Sequence, residues 1–579
     1  MSSTFVVQDG FASKQDRCVT RLLEFFGVGS RVGTTTDVMS GNCTGPGFDK
    51  SRVLCSAKAF LQLIENLEKL SDCKDQWVNR VHSAFVYPGD DASALQQLAR
   101  LLGAVEMTPL SRSNDEDFSI SNECDDFCGV MAGVKVNRPA VNSDGYLVSK
   151  ANRNATQIIS SRKGASFLKG EYHGVAVFLS TFSDVIDIDA ELASQNFDIR
   201  EHLFRAAPIV LYIKWAFHTC WNAPEANACL IIDDPLLRRR YGCVDFKRLL
   251  AAMEAHHFST SIAFIPWNWR RSSAEIIRLF KENAENFSLS VHGCDHVRGE
   301  FGVSDRSRLY GKARRALERM SNHASDTGLQ HDCVMVFPQG VFSKAGMSAL
   351  KHTNFIAAVN NDVVSTDLEP VTIADVWKTA VMRYSGFPIF TRRYPWEGIE
   401  NFAFDLLLGK PALIVIHHDY CSDGCDRLNG FIEELNRLKC PLRWRNLADV
   451  IRHSYRQRPL SSGSAEVEMY AKELLLENHT DQRVQYLVRR HESNPSDIKE
   501  IHSGSKNIPY ECHEGFINFG VDLDAGESRL IRVVMHELTE VVPTKEKLSY
   551  RLRTMLRRYL CELRDNHITP ARLRLVGSR

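Results

Sequence analysis

The 579-residue chain reads as an α/β protein built on a parallel (β/α) barrel, with an α/β domain before it and a β-sandwich-like domain after it. Three observations predict this. From about residue 206 apolar runs alternate repeatedly with helical patterns, as parallel strands joined by crossover helices do. The alternating stretch covers about 250 residues, the size of a closed or nearly closed barrel. Each apolar run also ends in a polar cluster, and barrel enzymes gather functional groups at the carboxyl ends of their strands.

Residues 1–205 form the expected N-terminal α/β domain. "SAFVYPGDD" and "GVAVFLSTF" read as buried strands, and "FLQLIENLEKL" carries helical spacing. No glycine-rich phosphate loop follows a strand. Asp90-Asp91 sits where it can cap the helix "ASALQQLARLL", and the polar run "SRSNDEDFSISNECDD" reads as a surface loop. Residues 206–456 form the barrel. Its strands are expected in "ACLIIDD", "STSIAFIPW", "SLSVHGCDH", "CVMVFPQG", "FIAAVNND" and "ALIVIHHDY". Residues 457–545 change to strand-like alternation with intervening turns, and residues 546–579 read as a terminal helix with a basic, solvated face.

Bulk properties exclude several function classes. Lys plus Arg and Asp plus Glu both number 71, so no global field recruits nucleic acid or an anionic membrane. No stretch approaches the ~18 apolar residues of a membrane span. The N-terminus lacks the pattern of a secretion signal. The 16 cysteines show no two-between zinc spacing, and reduced thiols imply a cytoplasmic protein. Oligomeric state has no sequence signal.

Four strand ends carry chemistry. Asp233 and Asp234 end the first barrel run beside Pro235, and adjacent carboxylates repel unless a cation is near. Asp245 is better placed to cap the next helix. "HGCDH" sets His292 and His296 four apart, a spacing that 20 histidines produce about 0.7 times by chance. One helical turn would bring both imidazoles to one side. "VFPQG" offers the turn of Pro338 and Gly340, and "IVIHHDY" ends in His417 and His418. Adjacent strand residues face opposite ways, so one of those two imidazoles faces the mouth. Asp234, His292 and His296 together offer three ligands and an open fourth position, the arrangement of catalytic zinc. Asp233 is then free to act as base and His418 as acid, the outline of metal-assisted amide or ester hydrolysis. Trp267 and Trp269 in "FIPWNWRR" are candidates to stack on a sugar ring. Two further readings remain open. One is a metal-free glycosidase using Asp233 with Asp362 or Asp419; the other is an inactive glycan-binding or assembly protein.

These motifs resemble those of the polysaccharide deacetylase superfamily, whose catalytic unit is the NodB-homology domain. "IIDDP" is similar to its Asp-Asp motif, "HGCDH" to its His-x-x-x-His motif, and "IVIHHD" to its late histidine motif. The resemblance covers about residues 206–456. It implies a barrel of that family's type and hydrolysis of N-acetylated carbohydrate with a divalent metal, most simply Zn²⁺. It assigns Asp233 as base, Asp234, His292 and His296 as ligands, and His418 as acid with His417 as substitute. Pro338, Gly340, His417 and the two tryptophans would meet substrate. Pro235 stands where the family has glycine. "VFPQG" lacks the family's arginine that holds the base. Asp375, Trp377 and Arg383 are the candidates for its aromatic-acid motif.

Overall fold

The structure, a computed structural model, describes residues 4–8, 10–39, 50–69, 73–110, 116–137, 139, 144–152, 155–460, 463–538 and 547–577. It contains two compact units. Met1–Ala190, Asp198–Trp221 and Leu438–Cys440 form the first; Glu191–Phe197, Asn222–Arg437 and Pro441–Arg579 form the second.

In the first unit, strands Thr4–Val7, Ser51–Ser56, Val81–Tyr87 and Val175–Ser180 run parallel. Antiparallel strands extend the sheet beyond Val175–Ser180. Asp91 caps the helix Ala92–Leu101 by accepting from the amides of Ser93 and Ala94. Part of the polar run near residue 115 lies outside the described residues; the rest holds a short strand, Phe118–Ile120. The apolar run "PIVLYIKWAF" falls largely within the helix Ile199–Ala216, which is buried along most of its length around Pro208.

The second unit holds the barrel. Its strands are β1 (Ala226–Asp233), β2 (Thr260–Phe264), β3 (Phe287–His292), β4 (Val334–Val336), β5 (Ala357–Asn360), β6 (Ile389–Thr391), β7 (Ala412–His417) and β8 (Leu442–Trp444). The order is β6-β5-β4-β3-β2-β1-β7, all parallel, with β8 beside the start of β1. A parallel bridge between Arg393 and Ile414 joins the two edge strands and nearly closes the cylinder. The strands are buried on both faces, so they read as continuous apolar runs. β6 was not legible as a strand: it is three residues long, follows Pro388, and lies within the irregular stretch after β5.

Two further sheets follow, one of five strands and one of four, packed around Val467, Leu474, Ile501, Phe519 and Ile531. The buried cluster of Lys351, Arg490 and Glu492 fastens them to the barrel, with Nζ of Lys351 2.5 Å from Glu492. A terminal helix spans Leu548–Leu563, continues as a wider turn over Arg564–Ile568 and runs on as the helix Thr569–Gly577.

The helix Arg306–Thr327 packs His323 into the barrel wall, fully buried, with Nε2 3.0 Å from Ser272 Oγ and its ring 5.3 Å from Phe264. Burial lowers its pKa from 6.5 to about 4. The unfolded chain therefore binds this proton more tightly, and stability present above pH 6.5 is lost as pH falls toward 4. The expected loss is on the order of 3 kcal/mol. Urea unfolding across this range should show the slope, and His323→Gln should flatten it.

Candidate metal centre at the barrel mouth

The acid pair ends β1. Asp233 is its last residue, and Asp234 turns out of the strand at φ +82°. A non-glycine residue held there stores strain, which the surrounding packing must sustain. The two carboxylates then part company. Asp233 is 3% exposed and receives a two-pronged contact from Arg392, with Nη1 and Nη2 each 2.7 Å from a carboxylate oxygen. Burial pushes this carboxyl up, but Arg392, His292 and His417 outweigh it and hold it well below the usual range. Arg392 follows β6 and is itself braced by Asn361 through Nε at 2.9 Å. It arrives from a strand the sequence hid.

Asp234 receives no such donor. Its Oδ1 is buried without a hydrogen-bond partner and lies 3.1 Å from His296 Nε2 and 3.5 Å from His292 Nε2. His292 ends β3, and its Nδ1 lies 3.1 Å from the carbonyl oxygen of Val336. That carbonyl can only accept, so Nδ1 carries the proton and Nε2 turns a lone pair toward Asp234. Burial lowers the pKa of both imidazoles, that of His296 to about 4, so both are neutral near pH 7. Two neutral nitrogen donors facing an orphaned carboxylate oxygen suit a divalent cation. All three ligand atoms lie within 4.8 Å of one another.

His296 is not brought round by a helical turn. Residues 293–299 form a loop folded on the carboxylate of Glu300, which accepts from the amides of Cys294, Asp295 and His296 at 2.9–3.1 Å. Gly293 is required in that loop: at φ +63°, a Cβ there would meet Pro338 Cγ at 2.4 Å. Lys312 neutralises Glu300 at 3.0 Å, and Arg319 meets Asp295 at 2.7 Å. The neighbouring cluster of Cys294, Asp295 and Glu300 is thus already supplied with cations.

A cavity of about 330 Å³ opens over the trio. Asp233, Gly340, Asp362, Arg392, Tyr394 and His417 line it. His417 is the register partner of Asp233 across β1 and β7. His418 lies outside this cavity; it is buried, with Nε2 3.5 Å from Asp565 and its ring edge-on to Tyr241. Pro338 packs beneath the loop rather than lining the cavity. Trp267 and Trp269 are also outside it. Trp267 meets Tyr559 edge-on, and Arg270 covers Trp269 at 4.2 Å. The exposed aromatic beside the cavity is instead Trp396, stacked at 4.1 Å on Tyr394. Asp375 caps the short helix Ile373–Trp377 and pairs with Arg383, while Trp377 is buried against Phe197 and Phe404. None of the three lines the cavity.

The terminal helix supplies the remaining wall through Arg557, Cys561 and Arg564. Several polar contacts fasten it there. Tyr550 reaches Lys312 and Asp295 at 2.9 Å, and Glu562 meets Arg271 at 2.5 Å. Asp565 accepts from the Tyr241 hydroxyl at 2.8 Å, and Asn566 from the Gly242 amide at 2.7 Å. Burial pushes the Asp565 carboxyl up, but its bonds to His418, Arg564 and Tyr241 bring it down to about 2. Sequence spacing holds no trace of this wall, because 238 to 324 residues separate its partners.

No protein-family model matches the chain, and no curated protein does. Among solved structures, it is similar to the Xyl-CE4 domain of a multidomain xylanase from the hindgut metagenome of Trinervitermes trinervoides. The identity is 12%, over 39% of this chain and 90% of that one, with a TM-score of 0.26. It is similar to a family 4 carbohydrate esterase from Streptomyces lividans at 13% identity, over 37% and 88%, with a TM-score of 0.22. It is also similar to Puue allantoinase at 14% identity, over 40% and 91%, with a TM-score of 0.26.

The Arg392–Asp233 contact gives a direct test. Arg392→Met strands a buried carboxylate and should cost about 3–5 kcal/mol. Asp233→Asn in the same background should recover part of that. Denaturant unfolding of both variants in chelator measures the difference.

Proposed function

We propose that this chain is a metal-dependent hydrolase that removes acetyl groups from N-acetylated carbohydrate. One observation carries the reading: a buried, unpartnered Asp234 oxygen faces two neutral imidazoles beside a second carboxylate that Arg392 holds ionised. Asp234, His292 and His296 would hold the cation, most simply zinc, whose preferred donors they are. When bound, it supplies Lewis acidity to an acyl carbonyl and acidifies water to a pKa of about 7.

The chain's own residues do the rest. Asp233 accepts the proton of the attacking water, oriented by Arg392 from its far side. His417, the register partner of Asp233 that lines the same cavity, donates a proton to the departing amine. His418 faces Asp565 and Tyr241 instead and takes the supporting position. Trp396 on Tyr394 offers an aromatic platform for the apolar face of a sugar ring. The carbohydrate esterases among the similar structures fit this substrate class.

A metal-free glycosidase would leave the unpartnered Asp234 oxygen and its two imidazoles unused, and Asp419, one of its two candidate partners for Asp233, lies exposed outside the cavity.

Metal analysis by mass spectrometry should find one divalent ion per chain, and Asp234→Ala should lose it together with acetate release from N-acetylated oligosaccharides. His417→Ala should keep the metal and lower turnover by about 10²–10⁴. A protein without stoichiometric metal, or an Asp234→Ala variant that retains it, overturns the reading.

A further inference from the structure

The terminal helix is amphipathic in the opposite sense to a core helix. Its polar side chains point inward: Thr554 and Arg558 are buried, and the turn after it buries Asp565. Its apolar side chains point outward. Leu548, Leu552, Leu556 and Leu560 recur at four-residue spacing, each 53–70% exposed, while Tyr559 turns back onto Trp267 and Arg271. Together they expose on the order of 500 Å² of contiguous apolar surface, as large as the biggest patch on a typical monomer and a mark of an interaction face.

Charge at the edges of the stripe says what kind of surface covers it. Over Leu548–Leu563 the helix carries four arginines and one acid, Glu562. Glu562 is already taken by Arg271 and Arg238, and Arg558 is buried. The charges left flanking the stripe are Arg551 and Arg553, both exposed, which form no ion pair with any described residue; Arg557 lines the cavity. A symmetric pair of such helices would set arginine against arginine, so a second copy is a poor occupant. An apolar stripe rimmed by arginines matches a bilayer with anionic headgroups, where leucines enter the acyl boundary and arginines reach the phosphates. No helix among the described residues is long and apolar enough to cross a membrane, so this one would lie in the interface plane.

We infer that the outer face of the Leu548–Leu563 helix docks the protein on an anionic lipid surface. Docked so, the barrel mouth lies one helix diameter, about 10 Å, from the lipid. This inference does not depend on the catalytic reading, because none of the stripe leucines lines the cavity over the trio.

Vesicle co-sedimentation of the full chain tests it. The protein should pellet with mixed phosphatidylglycerol–phosphatidylcholine vesicles at low salt and be released as salt rises. Phosphatidylcholine vesicles alone should bind it at least tenfold more weakly. The double variant L556E/L560E should lose binding at least tenfold, and R551E/R553E should lose the preference for phosphatidylglycerol. These positions are exposed, and circular dichroism checks that each variant is folded. Asp234→Ala should bind vesicles as the parent does, which separates this outcome from failure of the hydrolase reading. Equal binding to both vesicles, no binding to either, or a dimer by light scattering that L556E/L560E dissolves overturns the inference.

Discussion

Two adjacent carboxylates in the dry mouth of a barrel are the constraint on which the site depends. Burial alone would protonate both, and side by side each raises the other. The chain resolves the conflict by giving them different partners. Asp233 is neutralised by the fixed fork of Arg392, whose planar geometry matches a carboxylate. Asp234 is turned out of the strand by a left-handed backbone and faces imidazoles rather than a cation. Burial pushes its carboxyl up, and His296, His292 and, after them, Arg558 bring it below the ordinary value. The asymmetry leaves one acid paired with a guanidinium and the other with a bare oxygen toward two imidazoles.

The same logic explains the loop that carries His296. The excursion over residues 293–299 beyond β3 would leave buried amides unsatisfied. Glu300 collects three of them on one carboxylate, and Lys312 and Tyr550 complete its surroundings. The imidazole therefore stands on a rigid support, as a ligand must when its position relative to Asp234 matters within a few tenths of an ångström.

Much of this was legible in the sequence, for a physical reason. Strands buried on both faces are written as unbroken apolar runs, so β1, β2, β3 and β7 and the polar residues that terminate them could be read directly. The residues that complete the site could not. Arg392 follows a three-residue strand whose apolar run is too short to stand out, and "FTRRY" looks like any basic turn. Which of His417 and His418 faces the cavity depends on how β7 breaks into a turn at His418, which alternation alone does not determine. The tryptophans of "FIPWNWRR" drew notice by composition, whereas Trp396 gains its place only because Tyr394 lies under it.

The terminal helix shows where sequence reading fails most completely. Its basic run suggests an ordinary solvated face, because helices usually bury leucines and expose arginines. Here the docking partner is a polar mouth, so complementarity inverts the pattern: Arg558 faces inward among Asp234, His296 and Tyr241, and the leucines are left outside. A single buried guanidinium facing Asp234 and His296 also tempers the negative potential that would draw a cation in. The helix therefore has two electrostatic consequences at once, softening the affinity of the trio beneath it and setting unpaired arginines around the apolar surface above it.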